Sequence, residues 1–173
     1  MKKLLKLSIG ITGCVILILY LIFPLVIVNK ESYSFFRYLK YILDNITLTF
    51  KTPGFNQIDM LYNVIVWLGM LVLMIVPLIC LFIIAIKGLI GTWKNKKINI
   101  ISPTIISFVF SMLIIGLGYY LLNIYTLPGT ANQLQIAIVK ISCNHIWQPL
   151  LYISTFGSLL MLGINIYTNA VEK

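Results

Sequence analysis

Charge is what this chain has least of. Its 173 residues hold 13 Lys and Arg against 4 Asp and Glu, 10% charged in all, while 60% are hydrophobic and the mean hydropathy is +1.01. Soluble domains carry about 25% charged residues. A water-soluble fold of this length could not hide so much apolar surface, because roughly half of its exterior must face solvent. Lipid removes the conflict. Histidine is also nearly absent, with a single copy at His145, and cysteine occurs three times, at Cys14, Cys80 and Cys143. No Cys-x-x-Cys pair is present, so thiol–disulfide exchange at a paired site has no support. A metal centre needs three or four ligands, and the outer-face candidates (His145, Cys143, Asp59, Asp44, Glu31) are scattered. No cofactor is implied.

Apolar runs are what the chain does have. A helical span needs about 20 apolar residues to cross a hydrocarbon core about 30 Å thick. Leu7 to Val28, Met60 to Ile86, and Ile146 to Tyr167 each lack charge. So does Ile98 to Val139, where Leu127-Pro128-Gly129-Thr130 interrupts with turn chemistry and leaves a helix over about 101–125. The fold class expected is therefore an all-α integral membrane protein: a bundle of four transmembrane helices over about 7–28, 60–86, 101–125 and 146–167, as one membrane domain. The runs are continuously apolar rather than alternating, which excludes a membrane β-barrel.

Basic residues favour the cytoplasmic face. One face collects Lys2, Lys3, Lys6, Lys87, Lys94, Lys96, Lys97 and Lys173 against Glu172 alone; the other collects Lys30, Arg37, Lys40, Lys51 and Lys140 against Glu31, Asp44 and Asp59. Both termini are expected in the cytoplasm, with the plasma membrane as location. The net charge of +9 does not point to nucleic acid, because the cations sit at span ends. Lys94, Lys96 and Lys97 are expected to meet anionic lipid, at about 1 kcal/mol per lysine, or a docking partner. The preference for Lys, Asn and Ile suits an AT-rich bacterial genome.

Two signals at the ends of span one and span four are ambiguous. Ile11-Thr12-Gly13-Cys14 resembles a lipidation site, but the apolar stretch before it is shorter than a signal core of about 7–15 residues, and the run continues through Val28. His145 and Trp147 precede Pro149, which suits the first turn of a helix. That places both rings at the outer interface as anchors, with catalysis by His145 and Cys143 as the alternative use.

Residues 32 to 51, SYSFFRYLKYILDNITLTFK, form the most patterned stretch outside the spans. Polar positions Arg37, Lys40, Asp44, Thr47 and Lys51 fall at spacings of three and four, one stripe of a helix. Phe35, Phe36, Leu39, Ile42, Leu43, Ile46 and Phe50 take the other side. The expectation is an amphipathic helix in the first outer loop, lying in the interface as an anchor or docking over the bundle. Thr52-Pro53-Gly54 ends it. Asn45-Ile46-Thr47 is a glycosylation sequon only in a eukaryotic host.

No ionisable residue is expected deep in a span, which argues against a proton-coupled transporter or an ion pump. Small residues recur on helix faces: Ser107 and Ser111, Ser154 and Ser158, Gly10 and Gly13, Gly88 and Gly91, Gly116 and Gly118. Such faces allow close helix packing. Pro24 and Pro77 are expected to kink spans one and two; Pro103 with Ser102 as cap is expected to start span three. The layout is shared with claudin-like tetraspans, yet no paired outer cysteines and no Trp-Gly-Leu-Trp motif accompany it, and layout alone does not establish kinship.

The functional expectation is a non-enzymatic protein that binds another membrane protein or itself: an accessory or assembly subunit of a transport or secretion complex, or an immunity-type protector. The alternatives are an oligomeric channel or transporter with Ser107, Ser111, Asn123 and Thr155 along a path, and an outer-interface membrane enzyme. The partner-facing or membrane-facing candidates are Phe35, Phe36, Arg37, Leu39, Lys40, Leu43, Asp44, Lys94, Lys96, Lys97, His145 and Trp147.

Overall fold

The computed structural model describes residues 2–28, 30–51, 57–94, 98–124, 145–147 and 149–171. In chain order the elements are α1 (Lys2–Ile22), β1 (Pro24–Val28), β2 (Glu31–Ser34), α2 (Phe35–Lys51), α3 (Gln57–Lys94), α4 (Ile101–Ile124), β3 (His145–Trp147) and α5 (Pro149–Val171). The protein is mostly helical. Three helices are long and apolar enough to cross a membrane, over Lys3–Ile22, Met60–Lys94 and Leu151–Ala170. The remaining apolar run forms α4, 24 residues long. The turn expected at 127–130 lies outside the described residues, as do Lys96, Lys97 and Cys143.

Sequence and structure differ first at span one. The apolar run from Leu7 to Val28 is not one helix. It ends at Ile22, and Phe23 N–H makes a last helical bond to the Leu19 carbonyl at 3.0 Å. Pro24 has no N–H to extend the ladder and biases the preceding residue away from helix. The following Leu-Val-Ile-Val is stiff at Cβ and suits a strand. β1 is the centre of an antiparallel sheet of order β2-β1-β3. Val28 pairs Glu31 across a tight turn in which Lys30 takes φ 72°, and Val26 to Val28 pair Trp147 to His145. His145 and Trp147 thus stand in a strand, and the fourth helix begins at Pro149 rather than Ile146. Pro149 occupies its expected first-turn place.

The four long helices contact one another in a ring: α1 with α3, α3 with α4, α4 with α5, α5 with α1. Close approach of α1 and α3 depends on glycine. A Cβ on Gly88 would stand 2.6 Å from Gly10 Cα and N, and one on Gly13 would stand 3.1 Å from Ala85 Cα. Gly116 and Gly163, by contrast, have open space around the missing Cβ. Pro77 sits within α3. It removes the bond to the Leu73 carbonyl, and the Tyr20 hydroxyl donates to the neighbouring Met74 carbonyl at 3.2 Å. One tyrosine therefore ties α1 to the proline-weakened turn of α3. At α4, the cap is Asn99 rather than Ser102: the Asn99 side-chain oxygen accepts from Ile101 N–H at 3.3 Å, with Pro103 in the first turn.

Candidate functional site

α2 covers the predicted stretch closely, running Phe35–Lys51. Its side chains divide into three groups by 3.6-residue periodicity. Phe35, Tyr38 and Ile42 are buried. Arg37, Lys40, Asp44, Thr47 and Lys51 are exposed, as the stripe predicts. Between them stand Phe36, Leu43 and Phe50, large, apolar and about half exposed or more. The predicted apolar side thus splits, one part covered by the protein and one part not. Leu39 belongs to the covered part.

What covers α2 is the N-terminal half of α3. Phe35, Tyr38, Leu39 and Ile42 enclose a small space with Leu71 and Met74. The Tyr41 ring meets Trp67 edge-on at 5.7 Å, and Phe35 lies 5.9 Å from Tyr20. Tyr41 lies against Trp67, while Phe35 lies against Tyr20, which bonds Met74, so the contacts retreat along α3 as α2 advances. α2 therefore runs antiparallel alongside α3, as a short connection between helices favours. Tyr38 and Tyr41 stack at 6.0 Å. Burial pushes both phenols above their usual pKa; for Tyr38 the adjacent Tyr41 adds to the effect.

β2 is an edge strand, and edge strands invite pairing. Ser32 opposes Ile27 in the non-hydrogen-bonded register next to the turn, so its carbonyl faces outward. Arg37 Nη1 donates to that carbonyl at 3.4 Å, and Nη2 donates to Glu31 at 3.2 Å. The guanidinium also lies over the Tyr33 ring at 5.0 Å. Tyr33 Oη donates to the same Glu31 carboxylate at 3.1 Å, and desolvation first, then Glu31, raises its pKa. Arg37 thus joins α2 to the hairpin and closes part of its edge. Sequence reasoning placed Arg37 only on the polar stripe; Glu31 six residues earlier was the available clue.

A second polar feature lies between α4 and α5. Thr104, Ser107, Ser111, Ser154, Thr155 and Ser158 are all buried. Ser158 Oγ donates to the Ser154 carbonyl at 2.8 Å, which leaves Ser107 to donate across to Ser158 at 3.2 Å. Thr155 and Ser154 each donate to the Leu151 carbonyl at 2.8 Å. These hydroxyls turn inward on their own helices and join the two helices at one point. Ser111 Oγ and Asn165 Nδ2 are buried with no hydrogen-bond partner.

At the other end of the helices, Lys94 and Trp93 are exposed, Trp93 at 90%. Lys87 Nζ donates to the Asn99 carbonyl at 3.1 Å. Asn169 Nδ2 donates to the Ile98 carbonyl at 3.1 Å, fastening α5 to the start of α4. Lys6, counted with the cations of the cytoplasmic face, is buried. Trp93 escaped the sequence analysis, although a tryptophan beside a terminal lysine is an interfacial signature. Cys14 is half-buried and Cys80 buried, both unbridged. Among the described residues no three His, Cys, Asp or Glu side chains converge. No family model, no curated protein and no solved structure matches the chain.

Proposed function

We propose that this chain is a four-span protein of the plasma membrane, with both termini cytoplasmic, that works by contact with other membrane proteins, as an accessory or assembly subunit of a transport or secretion complex. The observation that carries this reading is the outer α2: packed on α3 and bonded to the hairpin, it leaves Phe36, Leu43 and Phe50 exposed beside a charged stripe of Arg37, Lys40, Asp44 and Lys51. An apolar strip rimmed by polar groups is the usual composition of a protein–protein contact. Lys94 and Trp93 then face the headgroups of the inner leaflet, where anionic lipid complements the lysine. An immunity-type protector uses the same surface.

Most hydroxyls of the α4–α5 seam are satisfied by backbone carbonyls of their own helices, and Ser107 with Ser158 joins the two helices, which supports a packing role over a solute path. Protein purified into liposomes is accordingly expected to carry no current and exchange no solute. The main test is photo-crosslinking in intact cells from a reactive group at Leu43, with Lys3 as control. A discrete adduct with a membrane protein, formed from Leu43 alone and lost in Phe36→Glu, supports the reading. No adduct from any of Phe36, Leu43 and Phe50, with activity in the liposome assay, overturns it.

A further inference from the structure

α3 is too long for the membrane it crosses. Its 38 residues extend about 57 Å at 1.5 Å each, against a hydrocarbon core of about 30 Å. Tilt does not absorb the excess, because α1 packs antiparallel along α3 from Gly10–Gly88 to Tyr20–Met74. A tilt that fitted α3 would leave the 21-residue α1 too short. The charged stripe of α2 marks which end projects. Tyr41 lies against Trp67, so exposed Lys40 and Asp44 flank the outer turns of α3, and charges are excluded from hydrocarbon. Trp93, fully outside the protein core and followed by Lys94, marks the inner boundary, and the exposed Lys87 reaches toward it, its Nζ donating to the Asn99 carbonyl ahead of α4. The span proper then covers roughly the last 20 residues of α3, and its outer turns from Gln57 to about Leu71 stand above the hydrocarbon.

Those projecting turns carry apolar side chains that no described residue covers. Ile58, Leu61, Ile65 and Leu68 are each about half exposed. Their spacing is three, four, three. Continued inward the spacing runs to Leu89, with Ile75 alone of its positions packed partly against the core. One set of heptad positions holds Ile58, Ile65, Val72, Ile79 and Ile86, all β-branched. The other holds Leu61, Leu68, Ile75, Phe82 and Leu89. The opposite side of the helix, through Trp67, Met70, Met74, Leu81, Ile84 and Gly88, faces the protein interior. β-branched residues at the first core position with leucine at the second favour a parallel pair of helices. Two copies inserted in the same topology hold their α3 helices parallel.

We propose that the exposed heptad seam of α3 is the interface of a homodimer, two copies of this chain related by a two-fold axis along the membrane normal. The inference deepens the membrane-contact reading and rests on it only for the membrane-spanning placement of α3. Flanking positions support self-pairing. Tyr62, Val64, Gly69, Leu71, Val76 and Leu78 carry no charge, so like copies do not repel and no charge pattern selects a different helix. Gly69 borders the projecting seam with open space around it, which permits close approach. If the seam side chains each lose the exposed part of their surface, the pair buries on the order of 1,600 Å² in total, withdrawn from water at Ile58, Leu61, Ile65 and Leu68 and from lipid, by van der Waals packing, from Val72 inward.

The test uses the full chain with Cys14, Cys80 and Cys143 replaced by alanine, purified into nanodiscs. Single cysteines are returned at Ile65, at Leu68 and, as control, at exposed Thr47 on α2. Oxidation is expected to give a covalent dimer from Ile65→Cys and Leu68→Cys several-fold more efficiently than from Thr47→Cys. Ile65→Ser with Leu68→Ser, both outside the hydrocarbon and neither in the core, is expected to yield monomer by sedimentation while circular dichroism is unchanged. Equal crosslinking at Thr47 and Ile65, or a wild-type chain that sediments as monomer, overturns the proposal. So does an Ile65→Cys adduct formed in cells only with another protein, an outcome that leaves the contact reading standing. A seam-specific homodimer with no adduct from Leu43 does the reverse.

Discussion

Gly88→Ala offers the sharpest check of how the helices are held. The added methyl would sit 2.6 Å from both Cα and N of Gly10 and 3.2 Å from the Ile9 carbonyl carbon. All three are backbone atoms of α1, so no side chain can rotate aside. Relief requires α1 and α3 to separate by about 1 Å, and a gap of that size forfeits a quarter to a half of each van der Waals well along the contact. Overpacking costs about 1–3 kcal/mol in ordinary cores; with backbone on both sides the upper end applies, about 3 kcal/mol. The better helix propensity of alanine offsets this by about 1 kcal/mol at most. Gly163→Ala is the matched control, since its Cβ meets nothing within 4 Å; it is expected to be neutral or stabilising by up to about 1 kcal/mol. The assay is reversible unfolding in mixed detergent with a rising SDS fraction, followed by circular dichroism. If Gly88→Ala unfolds with, or after, Gly163→Ala, the close α1–α3 contact is wrong.

Other outcomes follow from the same geometry. Ser107→Ala and Ser158→Ala are each expected to destabilise by about 0.6 kcal/mol, and by no more than about 1.7, with a non-additive double variant; full additivity would show that the two hydroxyls do not meet. Arg37→Ala removes an ion pair whose partners are each 61% exposed, so solvent screening limits its cost to under about 1 kcal/mol; amide exchange in β2 should nevertheless quicken, because the Ser32 carbonyl loses its donor. Tyr38 and Tyr41 favour the neutral phenol when folded. Their stabilising effect is present below the ordinary tyrosine pKa of 10.0 and is lost as pH rises through the raised folded value. Trp67 emission, read with Trp93 and Trp147 replaced by phenylalanine, should therefore change at alkaline pH, and Tyr38→Phe should weaken that change; an identical alkaline transition in Tyr38→Phe would refute the cause.

Much of the architecture was legible before any coordinates. The three- and four-residue spacing of Arg37, Lys40, Asp44, Thr47 and Lys51 gives α2 almost to the residue, because helical geometry imposes that period on any helix with one wet side. Pro149 fixes the start of α5 because the first turn is where a missing N–H is harmless. The strand β1 was not legible as such. Leu25 to Val28 is as apolar as a span, and periodicity does not separate a short buried strand from the end of a buried helix; Pro24 was the signal, and a kink was the competing reading. The seat of α2 stayed open between interfacial anchor and docking over the bundle for a related reason. An amphipathic pattern states that one side is wet, not whether the dry side meets lipid or another helix, and α2 meets α3.

Composition and the distribution of its few charges decided the solvent: apolar runs of this length have to be surrounded by oil, because water leaves too much surface unmatched. They also decided where the helices are, since an uncharged stretch bounded by lysines has few other stable states. Pairing over long sequence distance belonged to the tertiary structure. β1 acquires its partners from residues 31 and 145, Gly10 and Gly88 matter where Gly116 does not, and α3 exposes one heptad face while burying the other. Each depends on which surfaces approach closely enough to exclude everything else, a property of packed neighbours that no single stretch of chain encodes by itself.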